Sequence, residues 1–233
     1  MRLFEYQGKE LFAKYGIPVP RSRLAKTPAQ ALAALDEIGL PAVIKAQVLS
    51  GGRGKAGGVA LVRSREEAEK EAKRILSLRV AGEQTRALLV EEAYEHAEEM
   101  YLSISLDRGR REFVALASRR GGIEVESLAK STKSEVPIAL EGLAESDAAS
   151  LSVKLGLAAR TGSDFRSILL NLERLSREEE CELSEINPLA VRPDGSLVAL
   201  DSKVVLDDNA LFRHPEFSQL APEDPLEGEA ARS

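Results

Sequence analysis

Residues 42–62 read "AVIKAQVLSGGRGKAGGVALV", and their reading decides the fold. Two apolar, β-prone runs flank "GGRGKAGG", eight residues holding five glycines and two cations. Gly52, Gly54 and Gly57 fit the pattern G-x-G-x-x-G. A dinucleotide fingerprint, however, needs a helix directly after the loop, and here the strand-like "GVALV" follows. A Walker A loop fails as well, because Lys55 precedes Ala56 and leaves no Ser or Thr for magnesium.

What remains is strand, glycine loop, strand, with Lys45 on the incoming strand. That arrangement suits a flap laid over nucleotide phosphates, as in protein kinases. Glycine lets backbone N–H groups approach phosphate oxygens with no Cβ in the way. Arg53 can fork onto two oxygens, and Lys45 supplies a point charge. The plain alternative is a solvated hairpin, but such a turn rarely spends five of eight residues on glycine. The glycines further predict a loop that is mobile until phosphate orders it.

The 233 residues are 43% hydrophobic and 30% charged, which suits a folded chain rather than a disordered one. A net charge of −6 argues against nucleic-acid binding. No apolar run is long enough to span a membrane, and "MRLFEYQGKE" lacks the apolar segment of a signal peptide. Cys181 stands alone, which suits a reducing, cytoplasmic setting.

Local signals predict helices over 3–15, over 28–38 with Thr27 as cap and Gln30 completing a capping box, and from Ser64 to about 78. Strands are predicted at 42–49, 58–63 and 87–92. A hairpin follows around Arg108–Arg111, then a strand in 121–129, helices at 146–158 and 163–178, and a last hairpin around Pro193-Asp194-Gly195. Strands and helices are segregated, which predicts an α+β fold with antiparallel sheets in two lobes. The expected division is 1–95 for a lobe with the glycine flap, 96–214 for a lobe with the last hairpin, and 215–233 for a linker or tail.

The last hairpin offers a metal site. A three-residue turn with Gly195 left-handed sets Arg192 opposite Ser196, Asn187 opposite Asp201 and Glu185 opposite Lys203. Period-two alternation then places Glu185, Asn187, Asp201 and Lys203 on one face. Pro188 inside the strand calls for an edge or a bulge. Oxygen donors of this kind suit Mg²⁺. The chain has only three asparagines, so one at position 187 favours a ligand over an ordinary solvated face. His96 and His214 sit in unrelated contexts and read as surface residues, and no Ser-His-Asp or Cys-His set assembles.

Together "LFEYQGKELFAKYGIPVP", "VIKAQVLSGGRGKAGGV", "LLVEEA", "EINPLAV" and "LDSKVVLDDNALFRHPE" resemble the nucleotide-binding β subunit of succinyl-CoA synthetase and the wider ATP-grasp ADP-forming acyl-CoA ligases. The resemblance implies an ATP-grasp fold, with Mg²⁺ and ATP/ADP (GTP also fitting) as cofactors. Lys45, Gly52, Arg53 and Gly54 would contact phosphates. Glu91 would end the base-binding strand, Tyr94 would lie near the nucleotide, and Glu99 would meet the ribose. Asn187 and Asp201 would hold Mg²⁺, and Glu185 would position a phosphorylated histidine. That histidine would belong to a separate α subunit carrying the CoA site, with succinate and CoA bound mainly outside this chain. Ser202 stands where the family usually has Gly in "LDGK". The family's β subunit continues past "EDP" into a further lobe. The acid could equally be malate, and a nucleotide-binding module without independent catalysis is the alternative from another class. A carboxylate–amine ligase fits "EINPLAV" and "LDSKVVLDDNALF" less well.

Overall fold

A computed structural model of the chain describes residues 1–122 and 133–218. Helix α1 (Glu5–Lys14) opens the chain and is stopped by Gly16 at φ +76°. The next unit combines β1 (Ser22–Ala25), α2 (Pro28–Ile38), β2 (Ala42–Gln47), β3 (Val59–Val62), α3 (Arg65–Leu76) and β6 (Ala87–Glu92), with a small ribbon of β4 (Arg79–Val80) and β5 (Glu83–Gln84). Its sheet runs β1-β6-β2-β3, with every pairing antiparallel. Ala42, Ile44 and Ala46 on one face of β2 pack on Ala31, Leu35 and Ile38 of α2 and on Ala68, Ala72 and Ile75 of α3. The opposite face of β2 therefore presents Val43, Lys45 and Gln47 away from these helices.

Both helix caps form as expected, with one difference. Thr27 Oγ1 accepts from Gln30 N–H at 3.2 Å and Ser64 Oγ from Glu67 N–H at 3.1 Å. The return bonds land one residue further out: Lys26 N–H donates to Gln30 Oε1 and Arg63 N–H to Glu67 Oε2. Each still satisfies an N-terminal donor that the helix cannot.

The second unit holds β7 (Glu98–Asp107), β8 (Glu112–Ser118), β9 (Ser134–Ile138), α4 (Glu145–Lys154), α5 (Ala159–Glu178), β10 (Cys181–Val191), β11 (Leu197–Ala199) and β12 (Lys203–Leu206). Its sheet runs β11-β10-β7-β8-β9, and β12 also pairs with β10. Of the strand expected in 121–129, residues 121–122 are irregular and the rest lie outside the described residues. Helix α5 begins at Ala159, four positions before the expected Ser163-Asp164 start, and that pair lies inside the helix. Gly162 falls in its first turn because α4 comes close there: a Cβ on Gly162 would lie 2.7 Å from Ser152 Oγ.

Helix α1 packs in the second core, with Leu11, Phe12 and Tyr15 joining Phe165, Leu169 and Leu172. Truncating the fully buried Phe12 to Ala should cost about 3–5 kcal/mol. So a helix that precedes the first unit in sequence is anchored in the second, and its N-terminal turn lies against the glycine-loop sheet. The short helix α6 (Pro215–Ser218) adds Phe217 to the same core. Residues 219–233 lie outside those described.

Candidate nucleotide and metal site

The C-terminal hairpin has the expected register. Arg192 N–H donates to Ser196 O at 2.9 Å, Gly195 has φ +81°, and Glu185 lies opposite Lys203. The ladder along β10 is shared by β11 and β12, which leaves Leu200, Asp201 and Ser202 between them. Pro188 produces a bulge rather than an edge: β10 is internal, and its register with β7 shifts between Ile186 and Leu189. Only Leu200 N–H keeps a ladder-like bond, to Pro188 O at 3.0 Å. The opening frees the Leu200 carbonyl and aims Asp201 at the glycine loop.

Six charged side chains converge there. Lys9 and Lys45 both donate to Leu200 O, at 2.7 and 2.6 Å. Glu5 Oε1 meets Lys9 Nζ at 3.0 Å and Lys45 Nζ at 3.1 Å. Glu5 Oε2 takes Arg53 at 2.6 Å and Gln47 Nε2 at 2.9 Å. Glu91 pairs with both Lys9 and Lys45. The second arm of Arg53 reaches Asp201 Oδ2 at 2.8 Å. Three cations and three carboxylates thus balance in a largely dry seam. Burial alone would raise the Glu5 carboxyl, but Arg53, Lys45 and Lys9 outweigh it and hold it well below the ordinary carboxylate range. Burial would likewise depress Lys45, yet Glu5, Glu91 and Asp201 raise it above a free lysine. Desolvation wins at Lys9, whose pKa is lowered despite Glu5.

The glycine loop takes part in these contacts. Arg53 also donates to Ala46 O at 3.1 Å, and Leu49 and Ser50 N–H donate to the Glu83 carboxylate. Ala56, Gly57 and Gly58 N–H close onto Gly52, Gly54 and Arg53 carbonyls at 3.1, 3.1 and 2.7 Å. The N–H groups of Gly52, Arg53 and Gly54 lie outside that set. Gly52 has φ +80°, which a side chain would resist. One arginine thus ties the loop to the buried Glu5 and to the part-exposed Asp201.

The expected site residues therefore divide. Lys45, Arg53, Glu91 and Asp201 meet in one network, flanked by Gly52 and Gly54. Glu91 is buried on β6 and its carboxylate serves lysines rather than an open pocket. Asn187 is engaged with Gly122, accepting its N–H at 2.6 Å and donating to its carbonyl at 3.2 Å. Glu185 accepts from Tyr101 Oη at 2.9 Å. Tyr94 lies under Arg192 at 4.4 Å and donates to Glu92, while Glu99 accepts from His96 at 3.0 Å. Asn187 and Asp201 offer an amide and a carboxylate oxygen, donor types that fit Mg²⁺.

Glu5 and Lys9 were missed by sequence reasoning, since a Glu–Lys pair four apart reads as a surface ion pair. The signal was present: Glu5, Gly8, Lys9 and Phe12 form one helical stripe, and charged residues share it with a core phenylalanine. Close approach explains Gly8, where a Cβ would lie 2.6 Å from Ser202 Oγ. Ser202 donates instead to Glu5 O at 2.8 Å.

His214 is more enclosed than expected. It sits 3.0 Å from Glu180 and 3.7 Å from both Glu179 and Glu216. Glu179 already takes Lys14 and Tyr15 at 2.7 and 2.8 Å, and Arg213 holds Glu180, so this group is an ion-pair cluster.

None of the described helices is long and apolar enough to cross a membrane. The chain is 45% identical, along its whole length, to the β subunit of an ADP-forming succinate–CoA ligase from Chloroflexus aggregans, and spans 62% of that protein. It is 41% identical to the same subunit from Pyrobaculum calidifontis, covering 97% of this chain and 60% of that one. The chain thus spans about three-fifths of the length of the curated relatives it matches. Among solved structures, a dinucleotide-forming acetyl-coenzyme A synthetase from Ca. Korarchaeum cryptofilum superposes with TM-score 0.74 at 24% identity, covering 88% of this chain and 93% of that one. An ATP citrate lyase from Methanothrix soehngenii gives TM-score 0.74 at 24% identity over 96% of this chain and 55% of that one, which speaks for the fold alone. The sequence model of the ATP-grasp domain matches residues 2–191, the span that supplies the glycine loop, Glu5, Lys45, Glu91 and Asn187, and the chain belongs to that family.

Proposed function

We propose that this chain is the nucleotide-binding part of an ADP-forming acid–CoA ligase. It would exchange phosphate between Mg-ATP and a histidine on a partner α subunit, within succinate + CoA + ATP giving succinyl-CoA + ADP + phosphate. The observation that carries the reading is the convergence of Lys45, Arg53 and Asp201 at the opening between β11 and β12. Such a step needs positioning and charge neutralisation more than covalent help from protein.

In this reading Lys45 and Arg53 take phosphate oxygens, and the N–H groups of Gly52 and Gly54 line the same path. Asn187 and Asp201 would hold Mg²⁺, whose charge would offset that of the β- and γ-phosphates. Glu185 would orient the incoming phosphohistidine. Tyr94 and Glu99, at the crossing between the two sheets, would border the nucleoside. A cytoplasmic setting suits the buried lone Cys181. The test is calorimetric titration with ATP, with and without Mg²⁺, followed by transfer from labelled ATP to an added α subunit. Binding without transfer would reduce the chain to a nucleotide-binding module. Absence of both would overturn the reading.

A further inference from the structure

We propose that Glu5 is the positioning residue for the phosphate-binding cations, an inference that rests on the nucleotide reading above. Its carboxylate receives four donors: Lys9 and Lys45 on Oε1, and Arg53 and Gln47 on Oε2. That is all a carboxylate accepts. Three of the four come from β2 or the glycine loop. Glu5 itself rides on α1, whose Leu11 and Phe12 are set in the other core. The side chain is 2% exposed, so its contacts are unscreened.

The carboxylate thus ties the first turn of α1 to β2 and to the glycine loop. Gln47 reinforces it by accepting Tyr6 N–H at 3.1 Å, which docks the first turn of α1 on β2. Ser202, beside Asp201, donates to the Glu5 carbonyl at 2.8 Å, so the same turn also fixes the loop that carries Asp201. A lysine or arginine in open solvent samples many rotamers, and each rotor frozen on binding costs affinity. Glu5 freezes Lys45 and Arg53 beforehand. In protein kinases a Lys–Glu ion pair does comparable work for a phosphate-binding lysine.

The proposal makes a prediction whose sign separates it from simple charge balance. Glu5→Gln raises the local net charge by one, which by Coulomb attraction alone would tighten ATP binding. Loss of positioning would weaken it. Glu5→Gln, Glu5→Asp and the exposed-site control Glu10→Gln should be compared with the unaltered 233-residue chain by calorimetry, using Mg-ATP and adenosine. The expected result is at least tenfold weaker Mg-ATP binding by Glu5→Gln, a smaller loss in Glu5→Asp, and adenosine affinity within twofold throughout. A merely structural defect would weaken adenosine equally, and that outcome overturns the proposal, as does unchanged or tightened Mg-ATP binding. If Glu5→Gln fails to fold, the decision passes to Glu5→Asp, where full Mg-ATP affinity overturns it. Absence of ATP binding by the unaltered chain would sink the nucleotide reading and this inference with it. Unaltered binding in both Glu5 variants would sink the role of Glu5 alone.

Discussion

Arg53 and Asp201 meet at 2.8 Å across the seam between the glycine loop and the opening in the C-terminal hairpin. The proposed phosphate ligand and the proposed metal ligand thus neutralise each other. Binding of Mg-ATP would exchange partners, with metal on Asp201 and phosphate on Arg53. Asp201→Asn should therefore lower Mg-ATP affinity at least tenfold, about 1.4 kcal/mol, and change metal-free ATP affinity far less. Calorimetry with magnesium and with a chelator checks this, and equal losses in both would refute the metal assignment.

The glycine loop should show two classes of amide. Ala56, Gly57 and Gly58 N–H are already bonded within the loop and should exchange slowly without ligand. Amides of Gly52, Arg53 and Gly54 should gain protection only with nucleotide. Hydrogen exchange resolved to these residues distinguishes the classes. Arg53→Met should speed exchange throughout 50–58 in the free chain, because it removes the tie to Glu5 and Asp201.

Turn chemistry made the hairpin legible. Pro193-Asp194-Gly195 fixes the loop length, and the register then follows to Glu185 and Lys203. The same logic could not show the gap at 200–202, because whether a strand continues depends on what packs beside it. Strand β1 was illegible for a different reason: "SRLA" lacks alternation and is an edge strand with Leu24 half exposed. Long-range pairing also hid the network. Glu5 and Asp201 are far apart in sequence, and nothing local announces that one arginine will join them.

Cys181 should be inert while the chain is folded. The thiol is 1% exposed, and burial pushes it up to about 12. Near pH 8 its thiolate fraction falls by about 1,000-fold relative to a free cysteine, before access is considered. Reaction with a disulfide reagent should therefore await unfolding, and rapid labelling of the native chain would contradict the buried placement.

Gly8 and Ser202 offer a double-mutant test of how α1 seats against the loop that carries Asp201. A Cβ at position 8 would lie 2.6 Å from Ser202 Oγ and 3.3 Å from Val204 Cγ2. Gly8→Ala should destabilise by about 1–3 kcal/mol as an overpacked contact. Ser202→Gly removes the nearest atom but also the hydrogen bond to Glu5 O. Combined, the two should cost less than the sum of the singles, and strict additivity in denaturant unfolding would show that the contact is not limiting.

Acid should act on the fold through Glu5. Its carboxyl titrates well below an ordinary glutamate, because Arg53, Lys45 and Lys9 outweigh the penalty of burial. The folded value lies below the unfolded one, so the unfolded chain takes up the proton first as pH falls. The stabilisation from ionised Glu5 is fully present above the ordinary carboxylate range. It is lost as pH drops through the folded value, with a slope of about 1.4 kcal/mol per pH unit for one proton. Glu5→Gln has no such proton to gain. Its unfolding free energy should be lower at neutral pH, since a buried cation cluster loses its central anion, yet its acid limb should be flatter by up to about one proton. Urea titrations of both chains between neutral pH and the acid limb measure that difference. Parallel acid limbs would mean that Glu5 is not the group whose protonation opens the seam.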